Sequence, residues 1–203
     1  MKTRDRYHHG DLRAALLDAG RHIVTEQGLD ALTLRGVAAR AGVSYGAPVH
    51  HFPNMRHLLT ALAVEGFERF GAVLSKYRAD APTDARSQVA AVCDAYIEFV
   101  DEQPEWFKLI FSLSGHQLNW QDEALTKASR AAYASLREVA AVAAHARGES
   151  DPAAVERISL IIWTCVHGYA QLRISGRISL GAAVAPPRPQ IEALLLDGAK
   201  FVA

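Results

Sequence analysis

Cysteine is scarce: the 203 residues hold two, Cys93 and Cys165. Both fall inside apolar helical patterns and follow no metal-ligand spacing, which speaks against a disulfide framework and for reduced thiols packed in a core. No charged-then-apolar leader opens the chain, and no apolar run reaches the roughly 18 residues of a membrane span. The expectation is a soluble, cytoplasmic protein with no membrane partner. Alternation of apolar and polar residues is missing too, so strands have no signal. Catalytic motifs are equally absent. His116, His167, Cys165, Asp151 and Glu156 supply acid, base and nucleophile types, but none belongs to a Gly-x-Ser-x-Gly, Cys–His or paired-carboxylate arrangement, and an enzyme is the distant alternative. Neither a cofactor nor a metal is expected.

What is present is helix. Apolar residues recur at spacings of three and four, and half of the chain is apolar, enough for a sizeable core. Leu12, Leu16, Ala19 and Ile23 stripe a first helix that stops at Gly28. Thr33 offers an oxygen to the free amides of a second helix over 34 to 41. Gly42 turns the chain, and Ser44 caps a third helix that Phe52-Pro53-Asn54 closes. A fourth runs over 54 to 77, the segment 79 to 85 is the best break, and helices follow over 85 to 102, from Pro104, and over 121 to 146. Asp151 caps another, with Pro152 at its first position. Its continuation to Arg173 is apolar nearly all round, so more than one face must be buried. Pro186-Pro187-Arg188-Pro189 resets the chain before a last helix with Ile191, Leu194, Leu195, Phe201 and Val202. The count is about nine helices, all-α.

Charge, zero overall, is unevenly placed. Residues 1 to 57 carry eight Lys+Arg against five Asp+Glu, and the remainder fourteen against seventeen; six of the nine histidines also lie in the first part. A +3 head on a −3 body suits a polyanion partner at one end only. The head reads physically as a helix-turn-helix: Ala38 is small where two helices touch, Gly42 supplies the turn and Val43 plugs the shared core. Tyr45, Gly46, Ala47 and His50 then lie on the first turns of a helix able to enter a major groove. Pro48, at the end of that first turn, is expected to be tolerated. His50 and His51 can donate to phosphates or meet base edges, and Tyr45 can give a hydroxyl to phosphate or a ring to a thymine methyl. As a zinc site the histidine pair is poor, because adjacent helical residues point about 100° apart.

"LTLRGVAARAGVSYGAPVHHFPNMRHLL" (32 to 59) and "LLDAGRHIVTEQG" (16 to 28) resemble the TetR family of transcriptional regulators. "QPEWFKLIF" and "WTCVHGYAQLRISG" are similar to the branch whose C-terminal domain is named for a Trp, a His and a Gly, here Trp163, His167 and Gly168. The resemblance implies a helix-turn-helix DNA-binding domain over 1 to 57, joined by a long helix to a helical effector-binding and dimerisation domain over 58 to 203. It implies double-stranded DNA, a small effector and a second copy as partners. Lys2, Arg4 and Arg6 would form a basic arm, and Thr33, Arg35, Ser44, Tyr45, Gly46, Ala47, His50, His51 and Arg56 would face DNA. Two positions depart from the family pattern: Val49 stands in place of a tyrosine and Met55 in place of a lysine. Each removes a phosphate donor.

For the body, the resemblance implies an effector cavity among the aromatics, with Tyr96, Phe99, Trp106, Phe107, Phe111, Trp163 and His167 as candidates. An aromatic stripe at helical spacing serves equally as plain core, and both readings stand at this level. His167, one turn after Trp163, is placed to orient it. Ile158, Ile162, Val166, Leu172, Leu194 and Leu195 are the expected dimer face, in a four-helix bundle. The function implied is a repressor that binds a palindromic operator as a homodimer and is released by a small, mainly apolar effector. A sensor without an operator, or an architectural DNA binder, is the alternative.

Overall fold

Most helices of this protein begin on a side chain that takes up a free amide. The computed structural model describes residues 12–113, 116–178 and 188–196. After α1 (Leu12–Gln27), Thr33 Oγ1 accepts from Gly36 N at 2.9 Å to open α2 (Leu34–Arg40). Asn54 does the same for α3 (Met55–Asp80), Asp84 for α4 (Ala85–Glu102), Asp122 for α6 (Glu123–Ala146) and Asp151 for α7 (Pro152–Ile174). Each such cap contributes on the order of 1 kcal/mol and fixes where its helix starts. Between α4 and α6, α5 (Pro104–Phe107) runs on into a single π turn over Lys108–Ser112. α8 (Arg188–Leu196) closes the described chain, tied down by Arg188 to Asp94 and by Arg147 to the Leu195 carbonyl. Phe201 and Val202 lie outside the described residues. No strand occurs among the described residues, and the fold is all-α as expected.

The third helix is where expectation and structure part. Residues 47 to 50 form one 3₁₀ turn, Gly46 takes the position before it, and Ser44 makes no side-chain cap. The reason is Pro48, which lacks an N–H and so is best placed at the very start of helical geometry, where that hydrogen is unused. Helical geometry begins at Ala47 rather than Tyr45, and the preceding turn is closed by Ala47 N on the Ser44 carbonyl at 3.0 Å. Phe52 N then bonds to the Pro48 carbonyl at 2.7 Å, with Pro48 and Phe52 both buried. Gly42 sits at φ +70°, the left-handed geometry the turn requires. Val37, Ala38 and half-buried Val43 plug the shared core as expected.

α3 is the spine. At 26 residues it is roughly 39 Å long by a rise of about 1.5 Å per residue. It begins under the helix-turn-helix and ends against α4 and α6. At Gly66 it lies tight against α5 and the π turn: a built Cβ would be 2.5 Å from Ile110 Cγ2 and 3.4 Å from the Trp106 ring. Glycine is therefore required there for space rather than for backbone freedom. The two thiols behave as read, with Cys93 buried, its pKa pushed up to about 12 by burial, and Cys165 half-buried; neither forms a disulfide.

Gly66→Val should force α3 off the π turn and α5 and cost about 2 kcal/mol or more, visible as a melting temperature several degrees lower. An unchanged melting curve would show that Ile110 yields without cost.

Candidate functional site

Two places in the molecule carry functional geometry, one at each end of α3. The first is the turn after α2. Tyr45 is 60% exposed and Val49 50%, and Ser44, Gly46, His50 and His51 are open to solvent while Ala47 is half-buried. Pro48 alone points inward, so the segment anchors on one ring and presents the rest outward. The Arg35 guanidinium lies 4.7 Å from the centroid of the Tyr45 ring, a cation–π contact that braces α2 against the outward turn. Thr33 is engaged as the cap of α2. Arg56 departs from expectation: its Nη2 donates to the Leu118 carbonyl at 3.1 Å, directing the side chain to the body. Asn119 N likewise donates to Thr60 Oγ1 at 3.0 Å, so this corner of α3 is a link between the two ends. Lys2, Arg4 and Arg6 lie outside the described residues.

A second set of links joins α1 and the turn after it to α5 and α3. Glu105 accepts from Leu29 N at 2.7 Å, and the Trp106 indole N–H donates to Thr25 Oγ1 at 3.3 Å. Arg21 and Arg69 both donate to Glu65, at 2.7 Å each, and the Arg69 guanidinium lies 4.5 Å from the Trp106 ring centroid. Burial pushes the Glu65 carboxyl up, but bonds from Arg21 and Arg69 outweigh it and hold the group below the ordinary range.

The second place is a cavity of about 520 Å³ enclosed by α3, α4, the π turn, α6 and α7. Of the expected residues, Tyr96, Phe111, Trp163 and His167 line it. Phe99, Trp106 and Phe107 do not. Phe99 and Phe107 are fully buried behind the wall, where Phe99 packs on Phe70 and Phe107 on Phe111 at 5.0 to 5.1 Å between ring centroids. Trp106 is turned to α1 and Gly66. Trp120, one of the aromatics of the body, lines it too, as do Phe67, Phe70, Arg130 and Tyr133, which were not read from sequence as lining residues. Phe67 and Phe70 belong to the α3 stripe, whose spacing is that of any core; only the facing helices turn it into a wall.

The polar centre of the cavity is His167. Its Nδ1 lies 2.6 Å from the Tyr96 hydroxyl and its Nε2 3.3 Å from the Gln171 carboxamide. His167 thus orients on Tyr96, and its relation to Trp163 is an edge-on ring contact at 6.1 Å. Burial lowers the His167 pKa and raises that of Tyr96, so both are neutral near pH 7. With the Gln171 amide nitrogen donating to Nε2, the neutral ring carries its proton on Nδ1 and donates it to the Tyr96 hydroxyl oxygen. Among the described residues no cluster of His, Cys, Asp or Glu could hold a metal ion.

α7 corrects the expected dimer face. Ile158, Ile162 and Val166 are buried in the chain's own core, as is Leu195, and Leu194 is half-buried. The open face of α7 is carried by Leu160, Thr164, Gly168 and Leu172, one residue per turn, with Leu160 57% and Leu172 43% exposed. Of the expected set on α7, only Leu172 lies on this open face; a helix apolar all round gives no phase to choose by, which is why the other three fell on the buried one.

An outward helix-turn-helix coupled through one helix to an apolar cavity defines a ligand-responsive DNA-binding regulator. The comparisons with known proteins agree. Residues 16–62 match the model of bacterial regulatory proteins of the tetR family, and residues 89–196 match the tetracyclin repressor-like C-terminal domain. This chain belongs to the TetR family of transcriptional regulators, and not to an enzyme family. It is 41% identical over 64 residues to the HTH-type transcriptional repressor Rv1474c of Mycobacterium tuberculosis, a match covering 32% of this chain and 34% of that protein. The chain thus spans about a third of the length of that relative. A protein of unknown function from Rhodococcus sp. RHA1 is 31% identical with a TM-score of 0.71, covering 94% of both chains. The regulator FadR of Bacillus subtilis, solved with stearoyl-CoA, shares the fold at 14% identity and a TM-score of 0.66, over 92% of this chain and 99% of that one.

Because the folded pKa of His167 is depressed, the unfolded chain binds its proton more readily. This histidine's share of stability is fully present above about pH 6.5 and is lost as pH falls below that toward the folded pKa. His167→Gln should flatten that segment of the stability–pH curve in denaturant titrations. Parallel curves for the two proteins would remove His167 as the cause.

Proposed function

We propose that this protein is an effector-released repressor that binds a palindromic operator as a homodimer, with residues 1 to 57 as the reader and 58 to 203 as the sensor and dimer module. The observation that carries the reading is that one helix, α3, forms the cavity wall through Phe67 and Phe70 while its other face holds α1 through Glu65. A ligand that displaces the wall therefore acts on the seat of the reader. The π turn adds a second route, from Phe111 in the wall to Trp106 and Glu105, which grip Thr25 and Leu29. Repression, rather than activation, follows the name of the Mycobacterium relative. The FadR structure supports the cavity as a seat for a ligand with an apolar chain.

Tyr45, His50 and His51 would meet base edges or phosphates, with Arg35, Ser44, Gly46 and Ala47 close to the backbone and the N-terminal Lys2, Arg4 and Arg6 as an arm on neighbouring phosphates. Two copies would meet along the ridge Leu160, Thr164, Gly168, Leu172. Gly168 has no atom within 4 Å of a built Cβ, leaving room for a partner helix to approach closely. The described residues contain no helix long and apolar enough to cross a membrane, in keeping with work on DNA in the cytoplasm. The short 3₁₀ turn and Val49 favour a second reading, a sensor that has lost its operator.

Selection of duplexes from a random pool separates the two: enrichment of a two-half-site sequence supports the repressor, and no enrichment at low salt supports the bare sensor. On the selected operator, Tyr45→Ala should weaken binding about ten-fold or more by anisotropy titration; unchanged affinity would take Tyr45 out of the reading set. The double variant Leu160→Asp and Leu172→Asp should sediment as a monomer where the natural chain sediments as a dimer, and a dimeric variant would move the interface elsewhere.

A further inference from the structure

The cavity has one charged side chain in its lining, Arg130. It is solvent-exposed, so it stands at the mouth rather than the floor. Other arginines of α6 and its end are paired: Arg137 with Glu156, and Arg147, just past the last turn, with Glu149. Arg130 forms no ion pair and no hydrogen bond with any described residue, and no carboxylate lines the cavity. Tyr133, three residues on and so on the same face of α6, also lines the cavity, and its hydroxyl has no hydrogen-bond partner among the described residues. The interior offers nothing comparable. The polar groups there, Tyr96 and His167, are satisfied by each other and by Gln171, Ser129 is bonded to the Thr126 carbonyl, and the rest of the wall is apolar, with Phe67, Phe70, Ile110, Phe111, Leu136 and Trp163 prominent in it. An apolar interior with satisfied polar groups rejects a charge, whereas a mouth with an unpaired guanidinium and a free hydroxyl accepts an anion.

We propose that the effector is a carboxylate-headed amphiphile, its apolar chain among Phe67, Phe70, Phe111 and Trp163 and its head on Arg130 and the Tyr133 hydroxyl at the mouth. This rests on the cavity being the effector site. A volume of about 520 Å³ suits a medium-length chain, within the roughly 300–1,000 Å³ of small-molecule sites. The aromatic wall by itself would also attract a quaternary ammonium, but Arg130 opposes it.

The probes are decanoate, decanol, decanoyl-CoA and decyltrimethylammonium, each below its micelle concentration, titrated against the full chain at pH 7.5. Quenching of tryptophan fluorescence reports the site, since Trp120 and Trp163 line it. Decanoate should bind about ten-fold or more tightly than decanol, and Arg130→Gln should bring it down to the decanol level while leaving decanol unchanged. Arg130→Lys should keep part of the preference. Decanoyl-CoA tighter than decanoate, with the same loss in Arg130→Gln, places the anion on the head of a thioester and overturns the carboxylate assignment. Decanoate and decanol binding alike, or an ammonium preference, also overturns the proposal; if a cavity-filling Ala132→Trp abolishes both, the effector cavity itself survives. If no probe binds, or Ala132→Trp changes none, the cavity reading falls with the proposal. Arg130 is exposed, so a melting curve of Arg130→Gln matching the natural chain excludes misfolding.

Discussion

Everything at both ends of this molecule depends on how closely α3 lies against α5 and the π turn that continues it. Gly66 leaves no room for a side chain beside Ile110 and Trp106, and protein interiors transmit displacement because they are close-packed. The contact locks three things into one body: the cavity wall on one face of α3, the Glu65 grip on α1 from another, and the π turn that carries Phe111 into the wall. A looser contact would leave a wall that moves without consequence for the reader.

The aromatic rings are what hold a cavity open in such packing. Phe67 and Phe70 meet Phe111 edge-on at 5.7 and 5.5 Å, and Tyr96 meets Phe70 at 4.9 Å. Such arrangements are each worth about 0.5–1.5 kcal/mol beyond burial. Phe99 and Phe107, which touch no cavity space, brace those rings from behind. The polar chain at the cavity, Tyr96 to His167 to Gln171, is closed on itself and leaves the interior suited to an apolar chain. Polar recognition is displaced to the mouth, where α6 brings Arg130 and Tyr133 to one side.

The segment between α2 and α3 shows how a single residue sets the shape of the reading face. Pro48 is buried and cannot donate, and it moves the start of helical geometry to Ala47. Tyr45 and Ser44 therefore stand in a turn ahead of the helical residues rather than within them. The contact of Arg35 with the Tyr45 ring compensates in part, supplying rigidity that a longer helix would have provided through its own hydrogen bonds.

Local chemistry decided the helices and their starts. Thr33 and Asp151 cap because a short oxygen side chain reaches an amide two or three residues on, whatever the rest of the chain does, and the all-α fold and the motif at 32 to 59 were legible for the same reason. Ser44 failed through another local rule, the better one for Pro48. What no window of sequence contains is the rotation of each helix about its axis. Ile162 and Leu160 are two residues apart and equally apolar, yet one is core and the other open; Trp106 and Trp120 are the same residue type, yet one grips α1 and the other lines the cavity. Arg130 carried no signal at all, because its meaning comes from having no carboxylate near it on four other elements. Spacing along the chain determines which residues share a face, whereas which face meets which is decided only when the helices pack.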